Sequence, residues 1–260
     1  MATTPAVTRP GWAWHTRGTW NAREDRVASA VWLGILWVGM IAGFGVDFPR
    51  YLHENPPAPG VTHWHAVVFT GWMILLTAQV LLVLKDRVAF HRKLGWLLVG
   101  WAGLMAVLGP WAALSSLAVN LHLPAGDTPF FSVNLVDIGA FLVLLAWGLA
   151  SRRNPAAHKR LMILATVSLA DPGFSRFSGW IWATGPSSML VWFFWVFYGN
   201  VLLVVLMLGW DWWRGRMMKQ AVIGGVALLG AEYAATLLYF WGPWRAATER
   251  WVEAWARVIG

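Results

Sequence analysis

Apolar residues run through this chain in long blocks separated by short polar punctuation. A helix that crosses a hydrocarbon layer needs about 20 mostly apolar residues. Seven stretches reach or approach that length: 27–46, 64–84, 94–118, 131–150, 161–183, 188–210 and 220–241. The turn-formers lie between them, in "ENPPAPG" (54–60), "LPAGDTP" (123–129), "RRNPAA" (152–157) and "TGPSS" (184–188). The pattern predicts an all-α integral membrane protein of seven transmembrane helices. It divides into an N-terminal segment (1–26), a transmembrane domain (27–242) and a C-terminal amphipathic helix (243–260). Residues 1–26 are charged and lack an apolar core, so they do not read as a cleavable signal peptide. The first span then serves as an uncleaved anchor.

The last stretch, "PWRAATERWVEAWARVIG", is too charged to span. As a helix it sets Arg245, Glu249, Glu253 and Arg257 on one stripe, and Trp244, Trp251, Trp255 and Ile259 on another. Pro243 suits a helix start. An interfacial helix on the outer face is expected, and its alternative use is to dock a partner complex.

Charged residues make up 12% of the chain, against about a quarter in soluble domains, so lipid is the expected solvent. The net charge of +8 does not point to nucleic acid, because the cations cluster between apolar spans. With seven spans, 15 of the 20 Lys and Arg fall on one side, in the N-terminal segment and in the 85–93, 151–160 and 211–219 loops. The positive-inside rule then puts the N-terminus in the cytoplasm and the C-terminus outside, with a bacterial inner membrane as the expected setting. The absence of cysteine excludes disulfides, thiolate metal sites and cysteine nucleophiles. Many of the 22 tryptophans sit near span ends, as belt residues do. Trp37, Trp72, Trp101 and Trp195 fall inside spans, where they pack against lipid, other helices or a pigment.

The histidines fall into two layers. His91 and His158 begin the third and fifth spans on the basic side, in "HRKLGWLLV" (91–99) and "HKRLMILAT" (158–166), which share a register and suggest an internal repeat. On the other side, His63 and His65 begin the second span and His122 precedes the fourth. Neutral imidazoles facing each other make a six-coordinate haem site, and Arg92, Lys93, Lys159 and Arg160 beside the inner pair would suit haem propionates. The same basic histidine strings would also act as interfacial anchors and topology signals.

Two resemblances follow from these residues. "HWHAVVFTGWMILLTAQVLLV" (63–83), "HRKLGW" (91–96) and "RRNPAAHKRLMILATVSLADP" (152–172) resemble a family of bacterial multi-pass membrane proteins without an assigned activity. That resemblance implies a helical membrane fold and no reaction. The alternation of histidines is similar to that of ascorbate-reducible di-haem b-type cytochromes, in which successive helices donate one ligand each. That layout implies haem b held by His91 with His158, and by His65 with His122.

Ionisable residues inside spans normally face the bundle interior and pair. Asp137, Asp171, Arg176 and Glu232 form such a polar set, with Asp137 or Asp171 as the expected partner of Arg176. Pro172 and Gly173 should break the fifth span. The last span (220–241) has no lysine for a retinal Schiff base. Phosphate loops, HExxH and GxSxG are absent too. Three functions remain open: haem-based electron transfer between a quinone or small reductant and a partner; an accessory subunit docking on a larger membrane complex through tryptophan-rich faces and residues 243–260; and a proton-coupled small-solute transporter built on the polar set.

Overall fold

The computed structural model describes residues 22–123, 126–181 and 185–259. Residues 1–21 of the expected N-terminal segment, parts of the 123–129 and 184–188 connectors, and the end of the expected 161–183 span lie outside the described residues. The described chain is helical, without a β-strand: α1 (Ala22–Leu52), α2 (Gly60–Leu84), α3 (Val88–Val119), α4 (Phe131–Ala150), α5 (Pro155–Val167), α6 (Asp171–Phe174), α7 (Ser178–Ile181), α8 (Met189–Trp213), α9 (Lys219–Phe240) and α10 (Gly242–Ile259). Six of these helices are long and apolar enough to cross a membrane: α1, α2, α3, α4, α8 and α9. Side chains such as Val38, Ile41, Val107, Val143 and Val205 are exposed on their outer faces, which fits a lipid surround.

The stretch expected as a fifth span is not one helix. Asn154 caps α5, its side chain accepting the Ala157 amide at 3.4 Å, with Pro155 in the first turn. The helix ends at Val167. Pro172 has no backbone N–H to donate, so α5 cannot run on through it, and the chain continues as α6, a 3₁₀ turn (Ser175–Phe177) and α7. The carbonyls freed there find partners. The Phe174 carbonyl accepts from the Tyr198 hydroxyl at 2.7 Å and the Pro172 carbonyl from Arg176, while the Ser178 hydroxyl donates to the Trp195 carbonyl of α8.

Glycines let this broken segment wedge between α1 and α8. The Phe174 ring fills the space a side chain at Gly39 or Gly199 would need. Gly43 lies so close to α6 that an added Cβ would sit 1.9 Å from the Gly173 carbonyl oxygen. The main core lies between α1, α2, α3, α4, α5, α8 and α9. At its centre Trp72 meets Phe141 edge-on at 4.8 Å and donates to Thr166 at 3.3 Å, tying α2 to α4 and α5.

Ion pairs mark the two ends of the bundle. At one end the start of α1 bonds to the α2–α3 turn through Arg26–Asp86, to the start of α5 through Asp25, and to the segment before α9 through Glu24. Near the other end of α1, Asp47 bonds to Arg176 at 3.1 Å and to Arg50 at 2.7 Å. The segment from Lys159 to Arg176 therefore follows α1 from one end of the bundle towards the other.

The C-terminal helix packs on the protein. Val252 is buried against Leu117, Ala118 and Phe131. The Trp255 indole donates to Ser115 at 3.0 Å and Trp244 to the Pro129 carbonyl at 3.0 Å. The expected tryptophan stripe is thus divided: Trp244 and Trp255 face α3 and the α4 entry, while Trp251 and Ile259 are exposed. Arg245, Glu249, Glu253 and Arg257 all lie on the exposed side.

Two glycines on α1 should separate in their tolerance. Gly43→Ala drives a methyl into backbone and should destabilise by about 1–3 kcal/mol. Gly45 has nothing within 4 Å of an added Cβ. Gly45→Ala should be neutral or gain up to about 1 kcal/mol of helix propensity. Thermal unfolding of both variants in detergent checks this, and equal effects would overturn the close α1–α6 approach.

Candidate functional site

The inner histidines meet. His91, in the first turn of α3, and His158, in the first turn of α5, have ring centres 6.3 Å apart and planes at 87°. The His158 Nδ1 lies 2.8 Å from the Gly148 carbonyl. A carbonyl only accepts, so Nδ1 carries the proton and Nε2 keeps a lone pair. Gly148 permits this because α4 lies close to α5, with Met162 Sδ 3.0 Å from where its Cβ would be. The His91 Nδ1 is buried and has no hydrogen-bond partner among the described residues.

Both rings line a cavity of about 1180 Å³ at the basic end of the bundle. Its depth is apolar, formed by Leu33, Leu36, Leu76, Leu98, Leu145 and Ile163. Its rim carries Arg26, Arg92, Arg152, Arg153, Lys159 and Arg216, and no Asp or Glu is among the lining residues. A concave apolar site with a few convergent polar groups is the usual form of a small-molecule site.

Two cations expected to serve a ligand are engaged elsewhere. Arg160 is 5% exposed and grips Asp211 with two guanidinium nitrogens, Nη2 at 2.7 Å, while its Nη1 reaches Asp25 at 3.1 Å. Lys159 bonds to Asp25. Asp25 and Asp211 were absent from the sequence-based set. Both are buried, and each belongs to a helix end far from Arg160 in sequence. No local pattern announces a pair of that kind.

The outer histidines are not brought together. His65 stacks on Phe69 at 3.9 Å and lies beside the Leu108 carbonyl of α3. His122 is exposed in the turn beyond α3. From Leu108 the helix α3 runs on for 11 residues, about 16 Å, to Val119 before the turn that carries His122. His63 is exposed near Tyr51.

The polar set divides too. Asp137, Asp171 and Glu232 are all buried in the bundle. Asp137 and Asp171 each keep one carboxylate oxygen, Oδ1, buried without a hydrogen-bond partner among the described residues. Glu232 accepts from the Asn200 amide at 2.8 Å. Arg176 is paired with neither expected acid. Its partner is Asp47, and its guanidinium lies 4.0 Å from the centre of the Phe44 ring. No group of three or more His, Cys, Asp or Glu among the described residues is arranged to hold a metal ion. Comparison with known protein families, curated proteins and solved structures finds no match to the chain.

Removing one partner of a buried ion pair leaves the other charge stranded. Arg160→Ala should cost about 3–5 kcal/mol. Arg87→Ala, at an exposed position, should stay within about 0.5 kcal/mol. Unfolding temperatures of the two variants test this; similar values would show that the Asp25–Arg160–Asp211 contact carries little stability.

Proposed function

We propose that this chain is a membrane-embedded b-type haem protein that transfers electrons, with His91 and His158 as the axial ligands of one haem. The observation that carries the reading is the pair itself. Two metal–imidazole bonds of about 2 Å on opposite sides of one ion place ring centres roughly 6 Å apart. The 6.3 Å separation matches that requirement. The fixed tautomer of His158 supports it, because a ligating imidazole normally donates its other N–H to a carbonyl or carboxylate. A haem needs only two protein ligands, so a larger ligand cluster is not required. The cavity around the rings has room and apolar walls for a porphyrin, with cations at its mouth for the propionates. Bound haem would supply a one-electron couple, and the protein would hold the ring, exclude water from its faces and set its charge surroundings.

In this reading the broken α5–α7 segment is the seventh crossing of a bacterial inner membrane. The basic end faces the cytoplasm, following the charge bias of the loops, and α10 lies at the outer face. The second haem suggested by the sequence is not part of the proposal, since His65 and His122 lie apart.

Purification with haem available should give a reduced-minus-oxidised spectrum with the sharp bands of a six-coordinate b-type haem. His91→Ala and His158→Ala should each abolish that spectrum, while His65→Ala and His122→Ala should keep it. A flat spectrum from folded wild-type protein, or an unchanged one in both inner variants, would end the proposal.

A further inference from the structure

The cations on the cavity rim fall into two groups. Lys159 is bonded to Asp25, Arg26 to Asp86, and Arg216 to Glu24 at 2.8 Å. Arg92, Arg152 and Arg153 take part in no ion pair among the described residues, although Arg152 reaches the Leu149 carbonyl at 3.3 Å. Three uncompensated guanidiniums therefore share the mouth of a cavity whose lining offers no carboxylate. All three are exposed, so water screens their mutual repulsion, and what they offer a ligand bearing two negative charges is direct guanidinium–carboxylate hydrogen bonding. Guanidinium is also the side chain whose planar fork matches a carboxylate.

These arginines stand close to the histidines in sequence. Arg92 follows His91 directly, and Arg153 lies in the turn that leads into α5 and His158. The groups that would grip a planar ligand by its centre and by its acidic edge thus come from the same two chain segments. Beneath them lie leucine and isoleucine side chains, which suit the rest of a porphyrin.

We infer that Arg92, Arg152 and Arg153 form a clamp for the two carboxylates of an otherwise apolar planar ligand, which are the propionates of the haem proposed above. The inference rests on that haem reading. It moves the anion-binding role away from Lys159 and Arg160, whose charges are taken up by Asp25 and Asp211. The clamp fixes which edge of the porphyrin faces water. It also places positive charge near the iron, which favours the reduced state.

The test pairs protein variants with ligand variants. Full-length apo-protein in detergent is titrated with hemin and with hemin dimethyl ester, whose propionates are uncharged. Wild-type protein should bind hemin at least roughly tenfold more tightly than the ester, as expected for charge-assisted hydrogen bonds. Arg152→Ala/Arg153→Ala should lose that preference, weakening hemin while leaving the ester unchanged. Binding of the ester in turn reports that the variant remains folded. Arg153→Lys keeps the charge without the fork, so it should lose part of the preference. Arg87→Ala removes a charge from an exposed position outside the cavity and should change neither titration. The midpoint potential of bound hemin should fall in the double arginine variant and not in Arg87→Ala. If hemin binds with a six-coordinate spectrum but the arginine variants weaken hemin and ester equally, the clamp falls and the haem reading stands. If neither probe gives a six-coordinate spectrum with wild-type protein, both fall.

Discussion

The contact on which the basic end depends is the one between Arg160 and two aspartates. Three charges have left water there, which is costly unless their geometry is good and their hydrogen bonds are filled. The guanidinium meets Asp211 with two nitrogens and Asp25 with a third, and Lys159 adds a second cation to Asp25. Those partners come from the start of α1, the start of α5 and the end of α8, so one cluster fixes three elements that do not adjoin in sequence. It also aims His158. Two residues before Arg160, its side chain leaves the helix about 200° around the axis. With Arg160 held towards α1 and α8, His158 is turned to Gly148 and His91.

The middle of the bundle follows a different rule. Among the described residues no Lys or Arg forms an ion pair with Asp137, Asp171 or Glu232; Arg176 is drawn to Asp47 near the end of α1. Buried carboxyl groups are expensive at that depth. Glu232 accepts from Asn200 with one oxygen, and one oxygen each of Asp137, Asp171 and Glu232 is left without a hydrogen-bond partner among the described residues. The helix break at Ser168–Pro172 belongs to the same arrangement. A continuous α5 would not bring Asp171 in at the start of a separate helical turn, and the Phe174 carbonyl would not be free for Tyr198. Close glycine contacts with α1 and α8 hold the broken piece in place of the hydrogen bonds a continuous helix would have made.

Much of the scaffold was legible in the sequence because the apolar runs are long and nothing local competes with them. The expected span 131–150 coincides with α4, and cations of the 151–160 and 211–219 loops do lie at the same end as the start of α1. The approach of His91 to His158 was legible for a related reason: each opens a helix on the basic side. Three features were hidden. The 161–183 run is apolar enough to mask a break that Pro172 only hints at. The helix α3 runs 32 residues, to Val119, and His122 follows it in an exposed turn, whereas His65 lies within α2, a difference that counting spans does not resolve. The ion-pair partners Asp25, Asp47 and Asp211 are set by tertiary contacts between distant segments, which no spacing along the chain encodes.

The near-repeat of "HRK" and "HKR" shows how one string acquires two roles. In the second copy, Lys159 and Arg160 enter a neighbourhood where α1 and α8 supply Asp25 and Asp211, and both cations turn inward as ties. In the first copy, Arg92 and Lys93 stand at the start of α3, where no carboxylate pairs with them among the described residues, and both remain exposed. The histidines keep equivalent places because each sits one position ahead of its cations, on the side facing the other. The difference therefore lies in the neighbours and not in the motif. Acidic residues on α1 and α8 convert one basic pair into scaffold, and their absence beside α3 leaves Arg92 uncompensated at the mouth of the cavity.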